Sequence, residues 1–190
     1  LIDPTIEHGA IEALFTVDEE TGLTGAFNLG EGMLTGKYLI NLDSEDEGEI
    51  FIGCAGGVDT LARFDYTTET LEGEYLLYRI NVSGLKGGHS GDDINKGHAN
   101  SNKWAARIVE RAARLFGARL SHFDGGNLRN AIAREAYADV VVMEQEAEDL
   151  KQLVAKYSDE LRYEFRTTEP NMQVGIEAIP MPEFVVDMLS

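Results

Sequence analysis

Between residues 76 and 179 the apolar pattern changes period in a fixed order, and that succession constrains the fold more than any short motif does. Residues 76–82 alternate in part, with Leu76, Tyr78, Ile80 and Val82 on one side, which predicts a strand. Residues 100–116 then place Trp104, Ile108, Val109, Ala112, Leu115 and Phe116 at helical spacing, and Gly117 follows where a helix C-cap is expected. Residues 118–123 and 138–143 read as strands, with a turn predicted around Asp124-Gly125-Gly126. Residues 146–165 put Leu150, Leu153, Val154, Tyr157 and Leu161 on one helix face, with acids in the first turn where the dipole favours them. Residues 172–179 close the series as a strand. The order β-α-β-β-α-β is the split βαβ, or ferredoxin-like, plan.

Ahead of that series the texture differs. Residues 11–17 form a short apolar run ending in acid, as a buried parallel strand would, and residues 38–42 form a second. Residues 21–29 between them predict a helix, weakened by Gly22 and Gly25. Two strands joined by a helix make a βαβ unit, whose ligands collect beyond the carboxyl ends of the strands. The chain therefore divides into an α/β edge over residues 1–57 and an α+β domain over residues 58–190.

Charge removes several classes of function. Sixteen Lys and Arg stand against 34 Asp and Glu, a formal net charge of −18, which repels phosphate backbones and anionic lipid heads; neither nucleic acid nor membrane is expected as a partner. No apolar stretch is long enough to span a bilayer. Cys54 is the one cysteine, so no internal disulfide forms, and a reducing, cytoplasmic setting is expected. Between Gly53 and Ala55 it reads as a buried small hydrophobe. The chain opens at Leu1 without Met and reads as a piece of something longer.

Two acidic clusters fall at the predicted strand ends. Asp18-Glu19-Glu20 either stabilises the start of the next helix or supplies a general base beside a metal ligand, since one carboxylate can bind a cation while its neighbour takes a proton from water. Asp43-Ser44-Glu45-Asp46-Glu47-Gly48 has acids at positions one, three and five and Gly at six of a calcium loop, but Cys54 stands where the bidentate Glu is needed. The calcium loop fails. What remains is a solvated acidic turn, or Asp43 alone as a ligand. Gly87-Gly88-His89-Ser90-Gly91 lacks the Lys of a P-loop, the second Gly of a nucleophile elbow and the spacing of a dinucleotide fingerprint. It leaves a histidine on a glycine-flanked turn, either incidental or presented outward. His8, His98 and His122 show no ligand spacing and read as surface or packing residues.

The carrying segments are Leu14-Phe15-Thr16-Val17-Asp18-Glu19-Glu20-Thr21-Gly22-Leu23-Thr24-Gly25, then Asn41-Leu42-Asp43-Ser44-Glu45 and Ile52-Gly53-Cys54-Ala55-Gly56-Gly57, then Gly84-Leu85-Lys86-Gly87-Gly88-His89-Ser90-Gly91 and Leu128-Arg129-Asn130-Ala131-Ile132. Taken in order, they resemble the M20 family of zinc metallopeptidases and, within it, the Xaa-His dipeptidase branch. The resemblance runs through most of the chain. It implies that Glu19 is the general base, that Glu20 and Asp43 each ligate one of two zinc ions (or Mn²⁺ or Co²⁺), and that residues 58–190 belong to a lid that forms a homodimer. It also implies that His89 crosses that dimer to steady the substrate carbonyl in the partner's site, and that Asn130 contacts the substrate, a dipeptide. The family's early His-x-Asp segment, its bridging aspartate and its late histidine ligand have no counterpart here. The parent is thus expected to be a dipeptidase and this piece alone to be inactive. A non-catalytic dimerisation module, or another M20 amidohydrolase such as an acylase or carboxypeptidase, is the alternative.

Overall fold

The computed structural model describes residues 3–43, 47–54, 56, 58, 60–180 and 184–186. Ser44, Glu45 and Asp46 of the second acidic cluster, and Ala55 and Gly57, lie outside the described residues. The chain forms two units, residues 1–60 and 61–190.

The first unit departs from the expected βαβ piece. Its regular structure is two single helical turns, α1 (Glu19–Gly22) and α2 (Thr24–Phe27), and no strand forms among its described residues. The predicted helix over 21–29 is broken at Leu23, which takes a left-handed conformation (φ 56°). Residues 11–17 and 38–42 stay outside any ladder; Phe15 is 91% exposed and Tyr38 92%. A buried parallel strand needs neighbours on both edges and helices on both faces, and an apolar run without them has nothing to pair with. One tie across the unit is made by the Glu12 carboxylate, which accepts from Thr35 Oγ1 (2.6 Å), Thr35 N (2.8 Å) and Gly36 N (3.0 Å). Cys54, expected inside, is exposed, as is Ile52 ahead of it.

In the second unit β1 (Thr68–Glu69) is followed by β2 (Tyr75–Ser83), α3 (Ser101–Phe116), β3 (Arg119–Gly125), β4 (Ala136–Met143) and α4 (Ala147–Glu164), the last entered through a 3₁₀ turn over Glu144–Glu146. Then come β5 (Gln173–Ile179) and β6 (Val185–Val186). The order of β2 to β5 with their two helices is the expected β-α-β-β-α-β. They pair as one sheet in the order β3-β4-β2-β5, antiparallel throughout, with Ile80 opposite Ala138 on one side and Ile176 on the other. Each β-α-β stretch skips over a neighbouring strand, so the helices return along one face of the sheet.

That face is the core. Tyr78, Ile80, Val82, Val140 and Val142 from the strands meet Ala105, Ile108 and Ala112 of α3 and Leu150, Val154 and Leu161 of α4. Burying each of the larger side chains contributes roughly 1.5–3 kcal/mol. Trp104 packs edge-on against Phe165, with ring centroids 5.7 Å apart. Helix α3 is capped at both ends as its sequence predicts: Asn100 Oδ1 accepts from Lys103 N (3.2 Å), and Gly117 ends the helix in the left-handed region (φ 63°). The opposite face is apolar at one end, where Leu77 and Val141 pack with Val185, and polar beyond it. There Arg79 donates from Nε and Nη2 to both oxygens of Asp139 (2.7 and 2.8 Å), which holds the guanidinium pKa above its ordinary value.

Two expectations fail in detail. The short turn at residues 124–126 is in fact a longer connection, running from the end of β3 at Gly125 to Ala136. It is stabilised by Asn102 Nδ2 donating to Gly125 O (3.1 Å), a contact from another element that the turn residues alone do not announce. The two-residue ladder of β1 with β6 is too short to leave a period in the sequence.

Candidate functional site

Two groups of residues carry the candidate chemistry, one in each unit. In the first unit Asp18 takes a left-handed conformation (φ 56°), and its carbonyl accepts from Gly22 N (3.2 Å) and Leu23 N (2.7 Å), which winds α1. Such a backbone is costly for a residue with a Cβ and is found where surrounding contacts enforce it. Gly25 supplies the enforcing contact: its N–H donates to Val17 O (3.1 Å), and a Cβ there would lie 2.5 Å from Val17 N. Glu19 and Glu20 thereby occupy the first turn of α1, both exposed. Asp43 is also exposed, with its N–H turned onto Asn41 Oδ1 (3.0 Å).

Carboxylates are hard oxygen donors of the kind Zn²⁺ or Mn²⁺ accepts. Glu20 and Asp43 suit a metal in kind. Among the described residues no three His, Cys, Asp or Glu side chains converge on one point.

In the second unit the structure brings His89 and Asn130 together. His89 forms an isolated antiparallel bridge with Ala131; Ser90 N donates to Asn130 O (2.9 Å) and Ile132 N to Gly88 O (2.8 Å). The bridge ties the glycine-rich loop after β2 to the long β3–β4 connection. Gly88 is required there. Its φ is +141°, and a Cβ would fall 2.5 Å from Asp93 Oδ2. That carboxylate has a task of its own, accepting from His89 N (2.6 Å) through Oδ2 and from Lys96 Nζ (2.6 Å) through Oδ1. The Lys96 bond, and then the His89 N–H, hold the Asp93 carboxyl below its ordinary pKa.

The imidazole is fixed as well as its backbone. His89 Nδ1 lies 3.1 Å from Gly91 N and 3.3 Å from Asp92 N, both obligate donors, so Nδ1 accepts. In the neutral ring the proton then sits on Nε2. The side chain is 55% exposed, leaving Nε2–H available to donate outward. Beside the bridge lies an open cleft of about 950 Å³, lined by Gly88, Ala131, Asn81, Asn127, Tyr137 and Gln173 among others. Its volume is in the range of small-molecule sites.

Sequence reasoning passed over the residues that hold this loop. Asp93 and Glu169 accept from backbone N–H groups, and Arg134 donates from Nε to Leu85 O (3.1 Å). None has a spacing signature; the only available signal was the dense run of glycines and acids after β2. His98, read as a surface or packing residue, turns Nδ1 toward Gly87 O (2.6 Å), and His122, read likewise, lies tilted beside Tyr137 with centroids 5.5 Å apart.

Comparison with known proteins gives three findings. Residues 80–169 match a family model described as the peptidase dimerisation domain of the M20 group. The cytosol non-specific dipeptidase of Escherichia coli (strain K12) is 40% identical over 179 residues, covering 94% of this chain and 37% of that protein. The crystal structure of aminoacylhistidine dipeptidase from Vibrio alginolyticus superposes with a TM-score of 0.72 at 35% identity, covering 91% of this chain and 35% of that one. The chain thus spans little more than a third of the length of either relative.

Proposed function

We propose that this chain belongs to the M20 family of peptidases and that the protein it is part of is a metal-dependent cytosolic dipeptidase acting on Xaa-His and related dipeptides. One observation carries the reading: similarity to a dipeptidase extends over 94% of the chain, through both acidic clusters and the His89 loop alike. In this reading residues 58–190 form a ferredoxin-like lid, supported by the β3-β4-β2-β5 order, and the lid mediates a homodimer.

The chemistry follows from what the side chains can do. Glu20 and Asp43 would hold divalent metal, zinc in the first instance, which when bound supplies Lewis acidity at the scissile carbonyl. Glu19, free of a ligand's duty, takes a proton from the attacking water and returns it to the leaving amine as the C–N bond breaks. His89 donates from Nε2–H to the carbonyl oxygen as negative charge develops there, a role its tautomer suits because Nδ1 is already an acceptor. Asn130, beside the bridge, contacts the substrate. In the proposed dimer His89 serves the partner's site.

A second reading has its own observation. The first unit assembles no complete metal site among the described residues, whereas the second is a packed domain of dimerisation type, so the piece alone can be a lid module without chemistry. Zinc titration and size-exclusion chromatography of the 190-residue piece separate the two: a dimer with no tight zinc binding favours the module. For the full-length protein, hydrolysis of Xaa-His dipeptides against N-acyl amino acids and C-terminally extended peptides is the direct test. Turnover of the dipeptides is expected to dominate; faster hydrolysis of the N-acyl substrates would reassign the protein to an acylase.

A further inference from the structure

Glu169 is a buried acid of the second unit that the mechanism above leaves unused, and at 2% exposure it is more deeply buried than Asp139 at 7%. It lies in the turn between α4 and β5, where its N–H donates to Phe165 O (2.7 Å) and its carbonyl accepts from Met172 N (3.1 Å). Its side chain reaches far from that turn in sequence. Oε2 accepts from Lys86 N at 2.8 Å, and Oε1 accepts from Ala99 N at 2.9 Å. Lys86 and Ala99 are the two ends of the loop that carries His89. Removing a carboxyl group from water costs several kcal/mol unless hydrogen bonds replace the lost hydration, so a side chain buried to this degree holds its two donors firmly.

From this geometry we propose that Glu169 is a positioning residue for His89: its carboxyl group pins both ends of the His89 loop to the helical layer. The Gly88–Ser90 bridge to residues 130–132 then sets the loop's middle, so that the imidazole is located from three points. Other side chains cannot do this. A Gln amide has one acceptor oxygen and turns an NH₂ toward the other backbone N–H, leaving one of the two donors, Lys86 N or Ala99 N, unsatisfied. Asp is one methylene shorter and cannot span both donors at these distances. The inference rests on the reading of His89 as the oxyanion donor.

The test uses the full-length enzyme and a double-variant cycle with His89→Ala. Glu169→Gln and Glu169→Asp are expected to lower kcat for an Xaa-His dipeptide by roughly 10- to 100-fold, the scale of a misplacement of about 1 Å, with KM changing less than kcat. Combined with His89→Ala, either is expected to add no further loss, because a residue that acts through His89 has nothing left to position. Losses that multiply in the double variant would overturn the proposal, since Glu169 would then act independently of His89. So would failure of both single variants to fold, judged by their thermal transitions, which would make the clamp a requirement of the fold alone. Spectra of ¹⁵N-labelled histidine in the folded variants are expected to show the His89 ring resonances shifted and broadened; unchanged resonances contradict the proposal. Full activity of His89→Ala by itself would instead refute the oxyanion reading on which this rests.

Discussion

Glu19 and Glu20 are consecutive in one helical turn, and successive residues of a helix point about 100° apart around its axis. Two carboxylates so placed leave the turn in different directions, which is compatible with the proposed division into base and ligand. In the full-length protein Glu19→Gln is expected to keep metal content near normal while lowering kcat by roughly 10²–10⁴-fold, because the amide keeps the shape and cannot accept the proton. Glu20→Ala is expected to lose metal; equal loss in both variants, measured by elemental analysis, would end the division. Residues of this kind were legible in the sequence as candidates, by type and adjacency, as with His89 between glycines, while the roles proposed for them come from the family resemblance. Glu169 and Asp93 were not, because each acts on backbone N–H groups that every residue carries. Cys54 was misread for a related reason: its apolar neighbours predict burial only if something packs over them.

At the scale of elements, what was legible is what has a long period and a cap. Helices α3 and α4 fall within a residue or two of their expected bounds, since each repeats its apolar face over several turns and α3 has Asn100 and Gly117 at its ends. Strands β2, β3, β4 and β5 also fall within a residue or two of their expected bounds, β2 from its partial alternation. Residues 11–17 and 38–42 carry as much apolar character, yet a strand exists only through its neighbours, and their unit supplies none among its described residues. The packing account has its own test. Leu150 is wholly buried between α4 and the sheet, so Leu150→Ala is expected to destabilise the second unit by about 2–5 kcal/mol. Denaturant unfolding of a piece containing residues 61–190 reads this directly; a change below about 1 kcal/mol would mean that the helix layer is not the core.

For the whole molecule, the proposed mechanism takes carboxylates from one unit and the His89 imidazole from the other, and it makes them parts of one site through the proposed dimer. A two-fold assembly gives a definite consequence, since each site then draws Glu19 from one subunit and His89 from its partner. The deciding measurement mixes full-length Glu19→Gln and His89→Ala subunits, each nearly inactive alone, and assays dipeptide hydrolysis after subunit exchange has been verified by mass. Each heterodimer holds one intact site and one doubly defective site, and half the dimers are heterodimers at random exchange. Recovery to about a quarter of wild-type activity is therefore expected. Complete exchange with no recovered activity would contradict the account, placing His89 within its own chain's site or outside the reaction.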